Sequence, residues 1–352
     1  MLRRSKTSDL PGPRPGSFAS RLLRVLAVVS LFFAAHVAAP PLALAQAQSQ
    51  TDDEFRLRVE TDLVVLHATI TDKNSKPVAD LKQDDFKVFE NGAEQKIKIF
   101  KREDVPVSVG IVVDNSGSMR DKRKGVNAAA LKFVQSSNER DEVFIVNFSD
   151  EAYLDADFTD SIPLLEEALE KIDARGGTAL YDAVDMSLEH MKERATLDKK
   201  VVIAITDGED NASRISLEQA VQLVERSNVM IYTVGLLSGQ NGRSDRRAKR
   251  SLQEISKASG GAVFFPENPG DVLVVASDIA NDIRNQYVIA YTPTNLKKDG
   301  SFRKVEIKVI NTRRGKLNVR ARAGYYAKDS NETGDQEKTP PKSSSALEAA
   351  GL

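Results

Sequence analysis

Three short stretches carry oxygen donors at places where a parallel sheet would gather them. Asp114-Asn115-Ser116-Gly117-Ser118 sets one carboxylate and two hydroxyls at alternate positions, directly after the apolar run 107–113. Carboxylate and hydroxyl oxygens suit a hard divalent cation, and Gly117 lets the backbone turn tightly around one. Asp207 stands in the same place relative to the apolar run 201–205, inside Thr206-Asp207-Gly208. Thr178 follows Gly176-Gly177, just ahead of a helical pattern that runs to Met191. A hydroxyl at such a helix start reads as an N-cap.

The elements around these stretches define the fold class. The run 107–113 is β-branched and apolar without polar alternation, as in a strand buried on both faces of a parallel sheet. Further strands are expected at 142–148, 200–206, 229–234 and 262–265, with a short edge strand at 152–158. Helical spacing is expected at 122–137, 162–172, 216–227, 246–258 and 271–285. Strand and helix alternate, which argues for an α/β doubly wound, mostly parallel sheet with helices on both sides. Ligands of such sheets bind at the carboxyl ends of the strands.

Asp114-x-Ser116-x-Ser118, the Gly-Gly-Thr-x-Leu run 176–180 and Thr206-Asp207-Gly208 together resemble the von Willebrand factor type A family over residues 106–285. The resemblance implies a Rossmann-like domain with a metal-ion-dependent adhesion site. Its implied ligands are Asp114, Ser116, Ser118, Thr178 and Asp207, the hydroxyls binding directly and the carboxylates partly through water. A sixth position is left for a carboxylate of a partner protein. Thr178 can serve as cap and ligand both. The plain alternative makes Asp114 and Asp207 helix caps and the serines turn residues.

Two carboxylates and three hydroxyls favour Mg²⁺ or Mn²⁺ over zinc, because soft ligands are missing. Neutral hydroxyls leave the cation electrophilic toward an incoming Asp or Glu. Met119, Leu180 and Tyr181 are candidates for an apolar rim, or else pack beneath the loops. The expected function is therefore a protein-binding module that captures a partner carboxylate, and not an enzyme. Two other readings are a metal-dependent hydrolase using the same acids and a scaffold whose ion only staples loops. Hydrolysis needs a base as well as a metal. His190 lies far along a helix, and Glu209 and Asp210 are the acids that could serve.

On the amino-terminal side, 56–72 is apolar on both faces, as in a sandwich strand. A turn is expected at 74–77, a strand at 86–89, a hairpin at Asn91-Gly92 and its return strand at 95–101. On the carboxyl side 286–292, 302–311 and 316–322 read as three antiparallel strands. The segments 55–104 and 286–327 are expected to pair into a flanking β-sandwich-like unit. The runs 85–92 and 322–326 resemble those of acidobacterial secreted proteins with a type A-related domain. His67, without an acidic partner nearby, reads as structural. The basic stretch 239–250 reads as a solvated loop and helix start, with a docking surface for an acidic partner as the alternative. The tail 328–352 is Ser-, Pro- and charge-rich and is expected to be disordered.

The first 45 residues have the form of a signal peptide. Arg3, Arg4, Lys6, Arg14, Arg21 and Arg24 precede the apolar run 25–39, and Ala43-Leu44-Ala45 supplies small residues for cleavage. The alternative is an uncleaved anchor, for which the run is short. Cleavage implies a secreted, periplasmic or cell-surface protein with no membrane insertion afterwards. It leaves 44 Lys+Arg against 50 Asp+Glu, so nothing calls for nucleic acid as a partner. The chain has no Cys, which excludes disulfides, thiol catalysis and thiolate metal sites.

Overall fold

The computed structural model describes residues 63–102, 104–136, 138–170, 174–237, 242–310 and 315–329. The expected leader 1–45, the first residues of the strand at 56–72 and the tail beyond 329 lie outside the described residues. In chain order the elements are β1 (Val64–Thr71), β2 (Phe86–Glu90), β3 (Ala93–Gln95), β4 (Ile97–Lys101), β5 (Val107–Asp114), α1 (Arg123–Gln135), β6 (Glu142–Phe148) and β7 (Ala152–Thr159). There follow α2 (Ile162–Glu170), α3 (Leu180–Arg194), β8 (Lys199–Thr206), α4 (Leu217–Arg226), β9 (Val229–Gly235) and α5 (Arg243–Ser259). The chain continues with β10 (Val263–Phe264), α6 (Val272–Arg284), β11 (Tyr287–Tyr291), β12 (Phe302–Val309), β13 (Asn318–Arg320) and β14 (Gly324–Tyr326).

The central sheet has six strands in the order β10-β9-β8-β5-β6-β7. Its pairs are parallel except β6 with β7, the edge. Every residue of β5 is buried, as its unbroken apolar sequence requires. One face packs against α1, α2 and α6 through Val126, Leu165 and Ile279. The other packs against α3, α4 and α5 through Val184, Val224 and Leu252. The architecture is the expected doubly wound, mostly parallel one.

The flanking segments form two four-stranded antiparallel sheets, β13-β1-β11-β4 and β14-β12-β2-β3. They share one core, with Leu66 and Ile70 of β1, Val88 of β2, Ile289 of β11 and Ile307 of β12. Two details differ from the expectation. The return strand at 95–101 divides: β3 pairs with β2, and after Lys96 β4 pairs with β11 in the other sheet. Gln95 turns inward at the break, where its amide bonds Thr294 in both directions. The three carboxyl-terminal strands also part company, since β11 and β13 flank β1 while β12 lies beside β2. A period-two pattern states which face is apolar, not which sheet receives it.

The two parts are joined by buried polar groups. Tyr232 on β9 donates to Asp282 of α6 at 2.5 Å, and Arg320 of β13 pairs with the same carboxylate. The Gln286 amide donates to the Tyr232 hydroxyl at 3.1 Å. Lys199 donates to the Ile283 carbonyl, and burial lowers its amine to about 8. Among the described residues no helix is long and apolar enough to cross a membrane.

His67 sits on β1, where burial, with smaller contributions from the charges of Lys199 and Arg322, lowers its imidazole to about 4. It is neutral in the fold, in keeping with the structural reading. Below the ordinary value of 6.5 the unfolded chain takes up a proton that the folded chain refuses until about 4. Stability is therefore lost as pH falls through that window. The His67→Gln variant should shrink that loss by roughly 2–3 kcal/mol, measured by urea unfolding between pH 7 and 4. Parallel curves for the two proteins would contradict this account.

Candidate functional site

The register of the sheet assembles the site. Val113 of β5 lies opposite Ile205 of β8, so the next step sets Asp114 beside Thr206. The Thr206 hydroxyl donates to Asp114 Oδ2 at 2.5 Å, and the Ser116 amide donates to Asp114 Oδ1 at 2.7 Å. The chain then enters a single 3₁₀ turn, Gly117–Met119. The turn brings Ser116 Oγ to 3.1 Å from Ser118 Oγ. Ser118 in turn donates to Asp207 Oδ1 at 2.7 Å. Asp114, Ser116, Ser118 and Asp207 are thus linked by hydrogen bonds across two loops, Asp114 through the Ser116 amide and the other three through side-chain oxygens. Asp114 is wholly buried, while Ser118 is exposed and faces solvent.

Thr178 enters from a third loop. Its backbone carbonyl accepts from the amides of Asn211 and Ala212, and its own amide donates to Asn211 Oδ1 at 2.9 Å. A Cβ built on Gly208 would stand 3.6 Å from Thr178 Oγ1, so this hydroxyl borders the Asp207 loop. It does not cap the helix: Ala179 is the N-cap of α3 and has no side-chain cap bond. The N-cap expectation for Thr178 is therefore corrected, and the hydroxyl is left for other use. Gly176 has φ +81, and a Cβ there would meet Asp150 Oδ2 at 2.3 Å. Gly177 donates its amide to Asp150 Oδ1 at 2.7 Å. The double glycine lets this loop lie flat against the β6–β7 turn.

Sequence reasoning passed over Thr206 and Lys122. Thr206 lay inside the quoted motif, but only the register shows that its hydroxyl reaches Asp114. Lys122 reads as an ordinary helix-start cation. In the fold its ammonium donates to Asp207 Oδ2 at 2.5 Å and to the Leu236 carbonyl at 3.1 Å. Met119 and Leu180 pack into the two cores on either face of the sheet and form no rim. The tight turn after β5 and the first turn of α3 point them inward. Tyr181 is partly buried, with its hydroxyl 2.9 Å from Ser251 Oγ.

Burial pushes the Asp114 carboxyl above its ordinary value, the bonds from Thr206 and Ser116 oppose that shift, and the nearby charge of Asp207 adds to it. A cation beside the pair would stabilise both anions. Among the described residues no group of three or more His, Cys, Asp or Glu is placed to hold a metal. Hydroxyls must therefore complete any coordination set here. Two carboxylates and three hydroxyls are hard oxygen donors and fit a hard divalent ion. The candidate bases are engaged elsewhere. Glu209 accepts from Arg247 at 3.0 Å, and Asp210 accepts from the Tyr181 amide and the Ser213 hydroxyl. His190, in the last turns of α3, packs against Phe144 and Phe158 and lies 3.0 Å from Asp157 Oδ1.

Residues 109–209 match the von Willebrand factor type A domain. The chain is 26% identical over 185 residues to an uncharacterised protein of Borreliella burgdorferi, which covers 50% of this chain and 52% of that one. It is 28% identical over 161 residues to calcium-activated chloride channel regulator 1 of Mus musculus, covering 44% of this chain and 16% of the relative. The chain thus spans about half the length of the first relative and far less of the second. The vWF domain of the type V pili tip protein Mfa5 from Porphyromonas gingivalis aligns with TM-score 0.43 and 15% identity, over 51% of this chain and 95% of that one.

Asp210 ties the start of α3 to the loop after β8. Replacing it by Ala removes the acceptor of the Tyr181 amide and should loosen both segments by roughly 1–3 kcal/mol. Hydrogen exchange should show faster exchange at Tyr181 and Ser213 with little change in β5. Unchanged protection at both amides would refute the role.

Proposed function

For a chain that carries a von Willebrand factor type A domain, we propose that the loops after β5 and β8 and before α3 hold a divalent cation. Through it the protein captures a carboxylate of a protein partner outside the cell. Asp114, Ser116, Ser118, Thr178 and Asp207 would hold the ion, Mg²⁺ or Mn²⁺ by the hardness of their oxygens. When bound, the ion supplies a Lewis-acidic seat for an incoming Asp or Glu side chain. The chain's own residues do the rest. Thr206 and the Ser116 amide fix the Asp114 carboxylate. Asn211 fixes the Thr178 backbone.

The observation that carries this reading is the hydrogen-bonded run from Ser116 through Ser118 to Asp207. It brings donors 89 residues apart within 2.7 Å of each other, at the rim where such sheets bind ligands. Binding is favoured over hydrolysis because Glu209 and Asp210 are both committed to other partners. Export rests on the basic and apolar residues of the amino-terminal sequence.

Mg²⁺ should raise the melting temperature of the intact chain, and EDTA should reverse the rise. Asp207→Ala should remove the response altogether. A Glu-containing peptide should bind only with Mg²⁺ present. Peptide binding that ignores Mg²⁺, alongside a normal melting response, would mean the ion serves the loops alone.

The Lys122 ammonium sits against the carboxylate that a cation would contact, so the two compete for it. Lys122→Met should tighten Mg²⁺ binding about tenfold by calorimetry, equivalent to about 1.4 kcal/mol. Weaker binding in the variant would instead make Lys122 a support that orients Asp207.

A further inference from the structure

The stretch expected to be partly loop is helical from Arg243, and this changes what its charges can do. Arg243, Arg246, Arg247, Lys249 and Arg250 fall in the first two turns of α5, with Asp245 the sole acid among them. Ala248, Leu252 and Ile255 face the core. That leaves Arg243, Arg246, Arg247 and Arg250, at spacings of three, four and seven residues, as one exposed stripe.

This stripe breaks two local rules. Cations in the first turn of a helix oppose the helix dipole. Arg243 with Arg246 and Arg247, and Arg246 with Arg250, are like charges at neighbouring positions and repel. Internal partners offset little of this. Arg250 pairs with Glu254, Arg247 with Glu209, and Lys249, off the stripe, lies over the Phe265 ring, while Arg243 and Arg246 make no ion pair among the described residues. A sequence that keeps an uncompensated local cost commonly keeps it for a site.

The position is specific. α5 follows β9, which lies beside β8 in the parallel sheet, so the stripe begins at the same rim as Asp207. Arg247 reaches Glu209, two residues beyond Asp207, at 3.0 Å. The opposite flank carries Asp150 and Glu151 in the β6–β7 turn, with Arg175 beside Asp150.

We propose that the α5 stripe docks an acidic segment of the protein partner, next to the carboxylate seated on the ion. This rests on the metal-bridged reading above and specifies the partner's chemistry: a coordinating Asp or Glu accompanied by further carboxylates that run toward α5. The stripe spans about 10 Å at 1.5 Å per residue, room for two or three carboxylates of an extended segment. Charge complementarity fixes the direction of the segment across the rim and repels the reverse orientation.

The test uses the intact chain in Mg²⁺ and two labelled ten-residue peptides, one with a single Glu among Ser and Gly, the other with four Glu. Anisotropy should show the four-Glu peptide binding at least about tenfold tighter, with a steeper salt dependence. The double variant R243Q/R246Q should lose that advantage and retain the single-Glu affinity. Its melting temperature reports that it folds, and the salt dependence of the unaltered protein is an independent readout. Equal affinity for both peptides, or an unaltered advantage in the variant, overturns the stripe. Four-Glu binding that persists in EDTA overturns the metal reading instead. An oligonucleotide of equal charge that binds as tightly in Mg²⁺ marks a general polyanion surface and also overturns the proposal.

Discussion

A wholly buried carboxylate at the end of the central strand sets the terms for everything around it. Asp114 closes β5, whose other residues are all buried, so no water-facing side of the strand can solvate it. An unpaired anion in such a place is costly, and its charge must be met by fixed donors. Thr206 from the next strand and the Ser116 amide from the following turn meet it. The Ser116 bond is local to the turn, while the Thr206 bond holds only if β5 and β8 are parallel and in register. The same register, with the 3₁₀ turn that follows β5, sets Ser118 against Asp207.

The second acid differs in kind. Asp207 shares its two oxygens between a hydroxyl and an ammonium, from Ser118 and Lys122. Both partners lie on the same descending turn after β5, so one short segment serves both acids. Neutral hydroxyls and one tethered cation leave the pair short of full neutralisation, a condition in which a divalent ion has something to add.

The antiparallel sheets are more than an appendage. α6 runs into β11 with only Asn285 and Gln286 between them, and Asp282, Tyr232 and Arg320 lock that corner. Deep in the flanking unit Glu90 accepts from the hydroxyls of Tyr291 and Tyr325, with Arg303 against its other oxygen. Buried polar groups joined in this way specify one arrangement of strands where apolar contacts alone would allow several.

Much of the fold was legible because its signals are local. Unbroken apolar runs marked the parallel strands, and Asn91-Gly92 marked a hairpin that the chain makes with φ +48 and +85 at those two residues. The loops around Asp114 and Asp207 were visible for the same reason, since each acid directly follows its strand. What required the tertiary structure was every relation between distant segments. The split of the 95–101 strand between two sheets, the burial of Met119 and Leu180, the release of Thr178 from helix capping and the grip of Lys122 on Asp207 each depend on which element lies alongside. Periodicity and residue type encode what a segment can bury or bond. The partner that accepts it is chosen only when the whole chain closes around a common core, because that choice is a competition among contacts no single segment contains.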